Sequence, residues 1–244
     1  MIVVGTASWR LPTPYASDFP GEGTHLQRYA KRLDGVEINT SFYGQHRAAT
    51  YARWRDETPD GFRFAVKLIR SVTHERRLRD ADEPLDRFLE DTSALGDKLG
   101  PILVQLPPSL MFDPWVAAEF FRPFRKRYAG PVVIEPRHPT WFGAGARDLL
   151  IDYQIAGVVA DPVRPSGPVE RWGWNGVHYY RLHGSPRIYW SRYSPGHLDE
   201  LARLVVREPS ADVWVVFDNT AAGYATTNAL ELQAKIAARS VTSR

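Results

Sequence analysis

MIVVGTASWR, residues 1–10, begins as an apolar, β-branched run and ends on small and polar residues. An open dinucleotide-binding sheet would carry its first strand into a G-x-G-x-x-G turn that cradles a pyrophosphate. GTASWR offers no such turn, and that decides how the remaining pattern is read. Apolar runs at 2–6, 36–39, 62–67, 102–106, 132–135, 157–160, 177–183 and 212–217 predict eight strands. Between them, helical periodicity predicts helices over 25–33, 48–57, 85–95, 115–128, 145–153, 198–207 and 224–239. Strands alternating with helices call for parallel βαβ units, and eight of them without the nucleotide fingerprint imply one (β/α)8 TIM-type barrel over residues 1–244.

The pattern breaks once. DPVRPSGPVERWGWNG, residues 161–176, is too rich in proline and glycine for a regular helix, so an irregular loop is expected to replace the helix after strand six.

Composition narrows the function classes. The 244 residues contain no cysteine, which removes disulfides, thiolate nucleophiles and cysteine-ligated metals. A net charge of +3 and a pI near 9.1 are compatible with an anionic ligand but fall short of a nucleic-acid signature. No apolar run is long enough to span a bilayer, and residues 1–10 lack the basic and apolar regions of a signal peptide, so a cytoplasmic protein without membrane contact is expected.

Barrels carry their chemistry at the C-terminal ends of the strands. Here those ends read Ser8 and Trp9; Glu37 and Asn39; Lys67; Gln105; Glu135, Arg137 and His138; Asp161; Arg181 and His183; and Asp218 and Asn219. Residues two apart in a strand share a face, so Glu37 and Asn39, Glu135 and Arg137, and Arg181 and His183 should converge in pairs. A ring of this kind is either a ligand site or an ion-pair network that satisfies itself. Within it Glu37, Lys67, Glu135 and His183 are the catalytic candidates. Glu37, Glu135 and His183 are of the types that move protons, and Arg137 and Arg181 of the type that clamps anions. Lys67 can form a Schiff base, act as a base, or simply pair with Glu37 or Glu135. Glu135, Asp161, His183 and Asp218 form a mixed donor set that a divalent metal can use, although no compact motif such as HExxH is present and no cofactor is predicted.

Aromatic residues crowd the same loops, among them Trp9, Phe42, Tyr43, Trp141, Phe142, Tyr189, Trp190 and Tyr193, as stacking surfaces or as loop anchors. IRSVTHERRLRD, residues 69–80, places four arginines around His74 on the mouth side, a phosphate or carboxylate site or a solvated loop. The basic cluster in FRPFRKRYAG, residues 121–130, ends a helix and belongs to the opposite face. Gly223 precedes the last helix, a position where backbone N–H groups can hold an anion.

EINTSFYG, TPDGFRFAVKLIRSVTHERRL, LGPILVQLPPSL, EPRHPTWF, YYRLHGSPRIYWSRYS and VWVVFDNTAAGYATTNA together resemble the YecE-like proteins, catalogued as domain of unknown function 72. The resemblance runs from Gly5 to about Leu232 and implies a TIM-type barrel without supplying a reaction. It implies that Glu37, Asn39, Lys67, His74, Gln105, Arg137, His138, Arg181, His183 and Asn219 occupy family-motif positions. The chain departs from that pattern at Asp218, where asparagine is common, at GQHR after Tyr43, and at Pro136.

The expectation is therefore an enzyme, a hydrolase, lyase or isomerase, acting on a polar or anionic small molecule at the barrel mouth. The candidate binding residues are Trp9, Asn39, Tyr43, His74, Gln105, Arg137, His138, Arg181, Tyr189 and Asn219. The alternative is a non-catalytic module that holds a nucleotide or nucleic acid with the same arginines and aromatics.

Overall fold

The structure, a computed structural model, describes residues 1–162, 170–207 and 211–242. Eight parallel strands close into a barrel in sequence order: β1 (Ile2–Thr6), β2 (Gly35–Ile38), β3 (Arg63–Lys67), β4 (Leu99–Gln105), β5 (Val132–Glu135), β6 (Ile155–Asp161), β7 (Val177–Leu182) and β8 (Asp212–Phe217). Closure comes from β1 pairing with β8, Ile2 opposite Val213 through Thr6 opposite Phe217. Helices α1 (His25–Ala30), α2 (Ala48–Asp56), α3 (Asp82–Ser93), α4 (Pro114–Arg127), α5 (Ala144–Asp152), α6 (Pro195–Val206) and α7 (Tyr224–Thr242) lie between or after the strands. The α/β TIM-type barrel expected from the alternation is the fold.

Among the strands the largest boundary difference is at β4, which starts three residues before the predicted strand because it takes in Gly100 and Pro101. The pairing with β3 shifts register there, with Phe64 opposite Leu99 and Val66 opposite Ile102. A bulge is one of the few places where a strand tolerates proline and glycine, so a sequence pattern that reads Gly-Pro as a break stops too soon. Similarly, α6 begins with the cap Ser194, whose hydroxyl accepts from the His197 N–H, and with Pro195 in the first turn.

Two apolar layers organise the molecule. Inside the barrel, Val3, Ala65, Leu103, Val133, Tyr179, Trp214 and Val216 fill the lower part. Outside it, the opposite faces of the same strands pack against the helices, with Val36, Ile38, Phe64, Val66, Phe121 and Leu232 among them. The alternation along each strand thus serves both layers, which is why the strands read as nearly continuous apolar runs. Trp214 stacks on Tyr179 at 6.1 Å, and a Cβ on Gly100 would lie 2.4 Å from the Trp214 ring. That glycine is required by packing.

After β6, residues 163–169 of the expected irregular loop lie outside the described residues. The described remainder, residues 170–176, contains no helix. Gly173 bridges to Ala156, and Trp172 packs outside the barrel against Phe142 while its indole N–H donates to the Val158 carbonyl. The indole occupies the space a Cβ on Gly157 would need.

Candidate active site

Above the apolar filling, the interior turns charged within one layer. Glu37 is the penultimate residue of β2, Lys67 the last of β3, Gln105 of β4 and Glu135 of β5; Arg181 is the penultimate residue of β7, with His183 and Asp218 just past β7 and β8. All are buried. The strand register explains the convergence: Gln105 sits opposite Glu135 and donates an amide N–H to its Oε2 at 2.9 Å.

Arg181 is the hub. Its guanidinium donates to Glu37 through Nε (3.0 Å) and Nη2 (2.7 Å), to Glu135 through Nη1 (3.0 Å), and lies 3.2 Å from Asp218 through Nη2. Tyr179 donates its hydroxyl to Glu37 Oε2 at 2.8 Å. With 0 % exposure and both oxygens engaged, Glu37 is sealed beneath the layer. His183 completes the network, with Nδ1 3.0 Å from Asp218 and Nε2 3.0 Å from Glu135. Only a doubly protonated imidazole donates at both nitrogens. Burial pushes the His183 pKa down, but Glu135 and the hydrogen bond to Asp218 outweigh it and raise it. Burial likewise pushes the carboxyl of Glu135 up, and Arg181 and His183 reverse this, holding it well below the usual range. Asp218 is lowered in the same way, with Arg181 as the leading opposing charge.

Lys67 is different. The residue is buried (5 % exposed), and its amine lies 4.1 Å from the centre of the Phe42 ring and makes no hydrogen bond among the described residues. Burial, and secondarily Arg181, lower its pKa to about 8 despite nearby Glu37, Glu135 and Asp218. The local chain explains the placement. The hydroxyl of Ser41 donates to the carbonyls of Ile38 (2.8 Å) and Lys67 (2.6 Å), tying the end of β2 to that of β3, and Phe42 follows directly. His74, in the π-type turn Ser71–Glu75, also packs on Phe42, ring centres 4.9 Å apart. Its pKa is lowered to about 4 by burial and then by Lys67, Arg137 and Arg70, so it is neutral near pH 7. Arg137 lies 3.8 Å from Glu135 Oε1 through Nη2, and its Nε is buried without a partner.

The other singled-out residues lie around this layer or away from it. Tyr189, with φ of +69°, sets its ring edge-on to His183 at 5.8 Å. Asn39 caps the turn Thr40–Phe42 in sequence position, and its Oδ1 is buried without a partner. Tyr43 is 77 % exposed and sets its ring edge-on to Phe42. Trp9 packs on Trp54 of α2, and His138 caps the turn Pro139–Phe142 by accepting from the Thr140 N–H. Asn219 donates to the Ser191 carbonyl and to Asn228, bracing the β7–α6 and β8–α7 connections. Of the mixed donor set, Asp161 accepts from the Tyr193 hydroxyl (2.7 Å) and the remaining members face Arg181 or one another. Among the described residues no group of three or more His, Asp or Glu is arranged to hold a metal.

The arginines of 69–80 have local partners: Arg70 pairs with Glu75, Arg76 donates to the Asp80 carbonyl, Arg77 to Ser109, and Arg79 pairs with Asp113. The opposite-face cluster is equally occupied, Arg125 with the carbonyls of Tyr153, Gly130 and Gln154, Arg127 with Asp82 and Asp86. Gly223 lies in a cleft of about 590 Å³ between the β1 and β8 loops, and its φ of +81° is open to glycine. No described helix is long and apolar enough to cross a membrane.

Tyr179 was not singled out in the sequence, while Asp218 and Phe42 were named there, among the strand ends and the mouth aromatics, but not as catalytic or binding candidates. Tyr179 carried a usable signal, since Tyr179, Arg181 and His183 alternate along one strand face.

Comparison with known proteins places this geometry. A DUF72 protein from Enterococcus faecalis V583 superimposes with a TM-score of 0.81 at 23% identity, covering 97% of this chain and 96% of that one. A DUF72 protein from Thermotoga maritima MSB8 gives 0.76 at 24% identity over 97% and 99%. These show a shared fold. UPF0759 protein YecE of Escherichia coli (strain K12) is 29% identical over 157 residues, 62% of this chain, so the match spans only about half (54%) of that relative's length. UPF0759 protein YunF of Bacillus subtilis (strain 168) is 24% identical over 95% of this chain and 93% of its own. With the family model for the protein of unknown function DUF72 matching residues 3–243, the chain belongs to the DUF72 family.

Proposed function

We propose that the barrel mouth binds a small anionic molecule and performs acid–base chemistry on it. The observation that carries this reading is that the ion-pair network is satisfied everywhere except at two cationic groups. The Lys67 side chain is buried and its amine makes no hydrogen bond among the described residues, and the Arg137 Nε is buried without a partner. Buried donors without acceptors cost free energy, and a self-contained network would have spent them. An anion between them supplies the missing acceptors.

In this reading Glu37 anchors Arg181 instead of carrying protons, because both of its oxygens are engaged and it is sealed from solvent. The proton carrier is His74, neutral beside Lys67, while His183, with both nitrogens engaged and 1 % exposed, braces Glu135 and Asp218. Arg137 and Lys67 hold the anion. Hydrolysis, elimination and isomerisation all use these parts. The nucleotide or nucleic-acid alternative loses support from the arginines of 69–80, whose guanidinium groups have protein partners.

Thermal shift and calorimetry with inorganic phosphate, oxalate and lactate test the proposal. An anion at about a hundred times its Kd stabilises the native state by about 2.7 kcal/mol. The stabilisation is expected to disappear in Arg137→Ala and Lys67→Met and to survive in Arg76→Ala/Arg77→Ala. Equal binding by all of these variants would sink the assignment.

A further inference from the structure

The anion reading leaves the reacting part of the ligand open. On top of that reading, we infer that Lys67 is a carbonyl-reactive amine that condenses with a small anionic aldehyde or ketone, a 2-oxo acid being the simplest fit, to form a Schiff base. The geometry that points there is the surroundings of the amine. The obvious structural role for a buried lysine is an ion pair, and here the acceptors are taken. Glu37 is occupied by Arg181 and Tyr179, and Glu135 by Arg181, Gln105 and His183. What the amine meets instead is the face of Phe42. A hydrogen-bonded ammonium is locked and unreactive, whereas an unbonded, desolvated amine has its lone pair available once deprotonated.

The residue choice agrees. The chain has 26 arginines and only five lysines, Lys31, Lys67, Lys98, Lys126 and Lys235. An arginine at the end of β3 would serve electrostatics equally well, but it cannot lose its proton to become a nucleophile. Deprotonation is within reach at Lys67, whose pKa is lowered to about 8. A neutral imidazole stands across the same aromatic ring, at His74. Arg137, with its unspent Nε, is placed for the ligand's carboxylate.

The step balances without an oxidant or reductant. The neutral amine of Lys67 attacks the carbonyl carbon, forming a C–N bond as the carbonyl π pair moves to oxygen. The proton leaving nitrogen goes to that oxygen, giving a carbinolamine. A proton taken up from solvent by the hydroxyl lets water depart, and the nitrogen lone pair closes the C=N bond of a protonated imine. That imine is an electron sink for breaking a bond at the neighbouring carbon, which suits a lyase or isomerase.

Reductive trapping tests the inference on the unmodified protein. The chain is incubated with pyruvate and sodium borohydride near neutral pH, digested, and each lysine-containing peptide is weighed. Borohydride delivers hydride to the imine carbon and fixes one reduced pyruvyl group on nitrogen. Labelling of Lys67 is expected to exceed that of the exposed Lys31 and Lys126 about tenfold or more, because its neutral fraction near pH 7 is far larger. The excess should shrink as pH rises toward 10 and should fall when lactate, an anion with no carbonyl, competes. Thermal shift with lactate separates the two levels of the reading. Stabilisation by lactate with Lys67 unlabelled, or labelled no faster than Lys31 and Lys126, overturns the Schiff base and leaves the anion site standing. No stabilisation and no selective labelling overturns both. Selective labelling without lactate stabilisation supports the amine and removes the anion requirement. Lys67→Arg checks the assignment independently: it keeps the charge, and should keep lactate stabilisation while losing the label.

Discussion

Replacing Arg181 by methionine is the sharpest test of the buried network. The guanidinium serves three carboxylates at once: Glu37 at 2.7 and 3.0 Å, Glu135 at 3.0 Å and Asp218 at 3.2 Å. Removing one partner of a buried ion pair costs about 3–5 kcal/mol, because the other charge stays buried and uncompensated. With three carboxylates stranded and only His183 to share, Arg181→Met should fall at the upper end, about 5 kcal/mol near neutral pH. Set against a total stability of roughly 5–15 kcal/mol, the variant would be close to unfolded, with Tm lower by about 10–20 °C. The pH dependence identifies the cause. In the parent chain Glu135 and Asp218 are held below the usual carboxylate range, so their contribution is present above the unfolded pKa and is lost only as pH falls through their lower native values. In the variant, burial acts without Arg181 and pushes these pKa values upward, so protonation begins at higher pH and relieves the strain on the site. The stability gap between the two proteins should therefore be widest at neutral pH and narrow toward about pH 5. Urea unfolding followed by fluorescence of the eight tryptophans measures it. Arg181→Lys, which keeps one charge but fewer donors, should lie between. A neutral-pH gap below about 1 kcal/mol, or one that does not change with pH, would refute the reasoning.

The remaining predictions concern other parts of the fold. Lys67→Met should stabilise the protein by up to about 3 kcal/mol near pH 7, since the native state holds a pKa of about 8 against an ordinary lysine value. That cost is present below the native pKa and is relieved as pH rises toward the unfolded one, so the two proteins should converge near pH 10 in thermal melts. Tyr193→Phe removes a hydroxyl that accepts from the Gly184 N–H at 2.8 Å and donates to Asp161 at 2.7 Å. It should cost about 1–3 kcal/mol and raise hydrogen exchange in residues 184–193, the segment carrying Tyr189; unchanged exchange would count against Tyr193 as its anchor. Gly100→Ala drives a methyl group to 2.4 Å from Trp214 and should destabilise by about 1–3 kcal/mol or more, measured by the urea midpoint. Asp113→Ala, which strips the cap of α4 from the Trp115 and Val116 N–H groups, should cost about 1 kcal/mol.

What the chain alone determined is the barrel and the membership of its charged layer. Nearly continuous apolar runs between helical segments can bury their surfaces in few ways, and the β1 turn lacks the glycines of the competing open sheet. Strand ends leave the apolar interior, so Glu37, Lys67, Gln105, Glu135, Arg181 and His183 were legible as a convergent group from position and parity. Tyr179 lies on the same alternation, two residues further into the barrel than Arg181. Which charge meets which was not legible. Local spacing cannot reach across the barrel, and the partners of Arg181 come from β2, β5 and the end of β8, separated by up to 144 residues in sequence from the hub. Nor could residue type tell that Glu37 would be sealed, that the arginines of 69–80 would be taken by nearby groups, or that His138 would serve as a cap. Above all, only closure of the barrel decides that the carboxylates neighbouring Lys67 are already engaged by Arg181, because a satisfied and an unsatisfied lysine are spelled alike. The difference between them is a property of three-dimensional hydrogen-bond geometry.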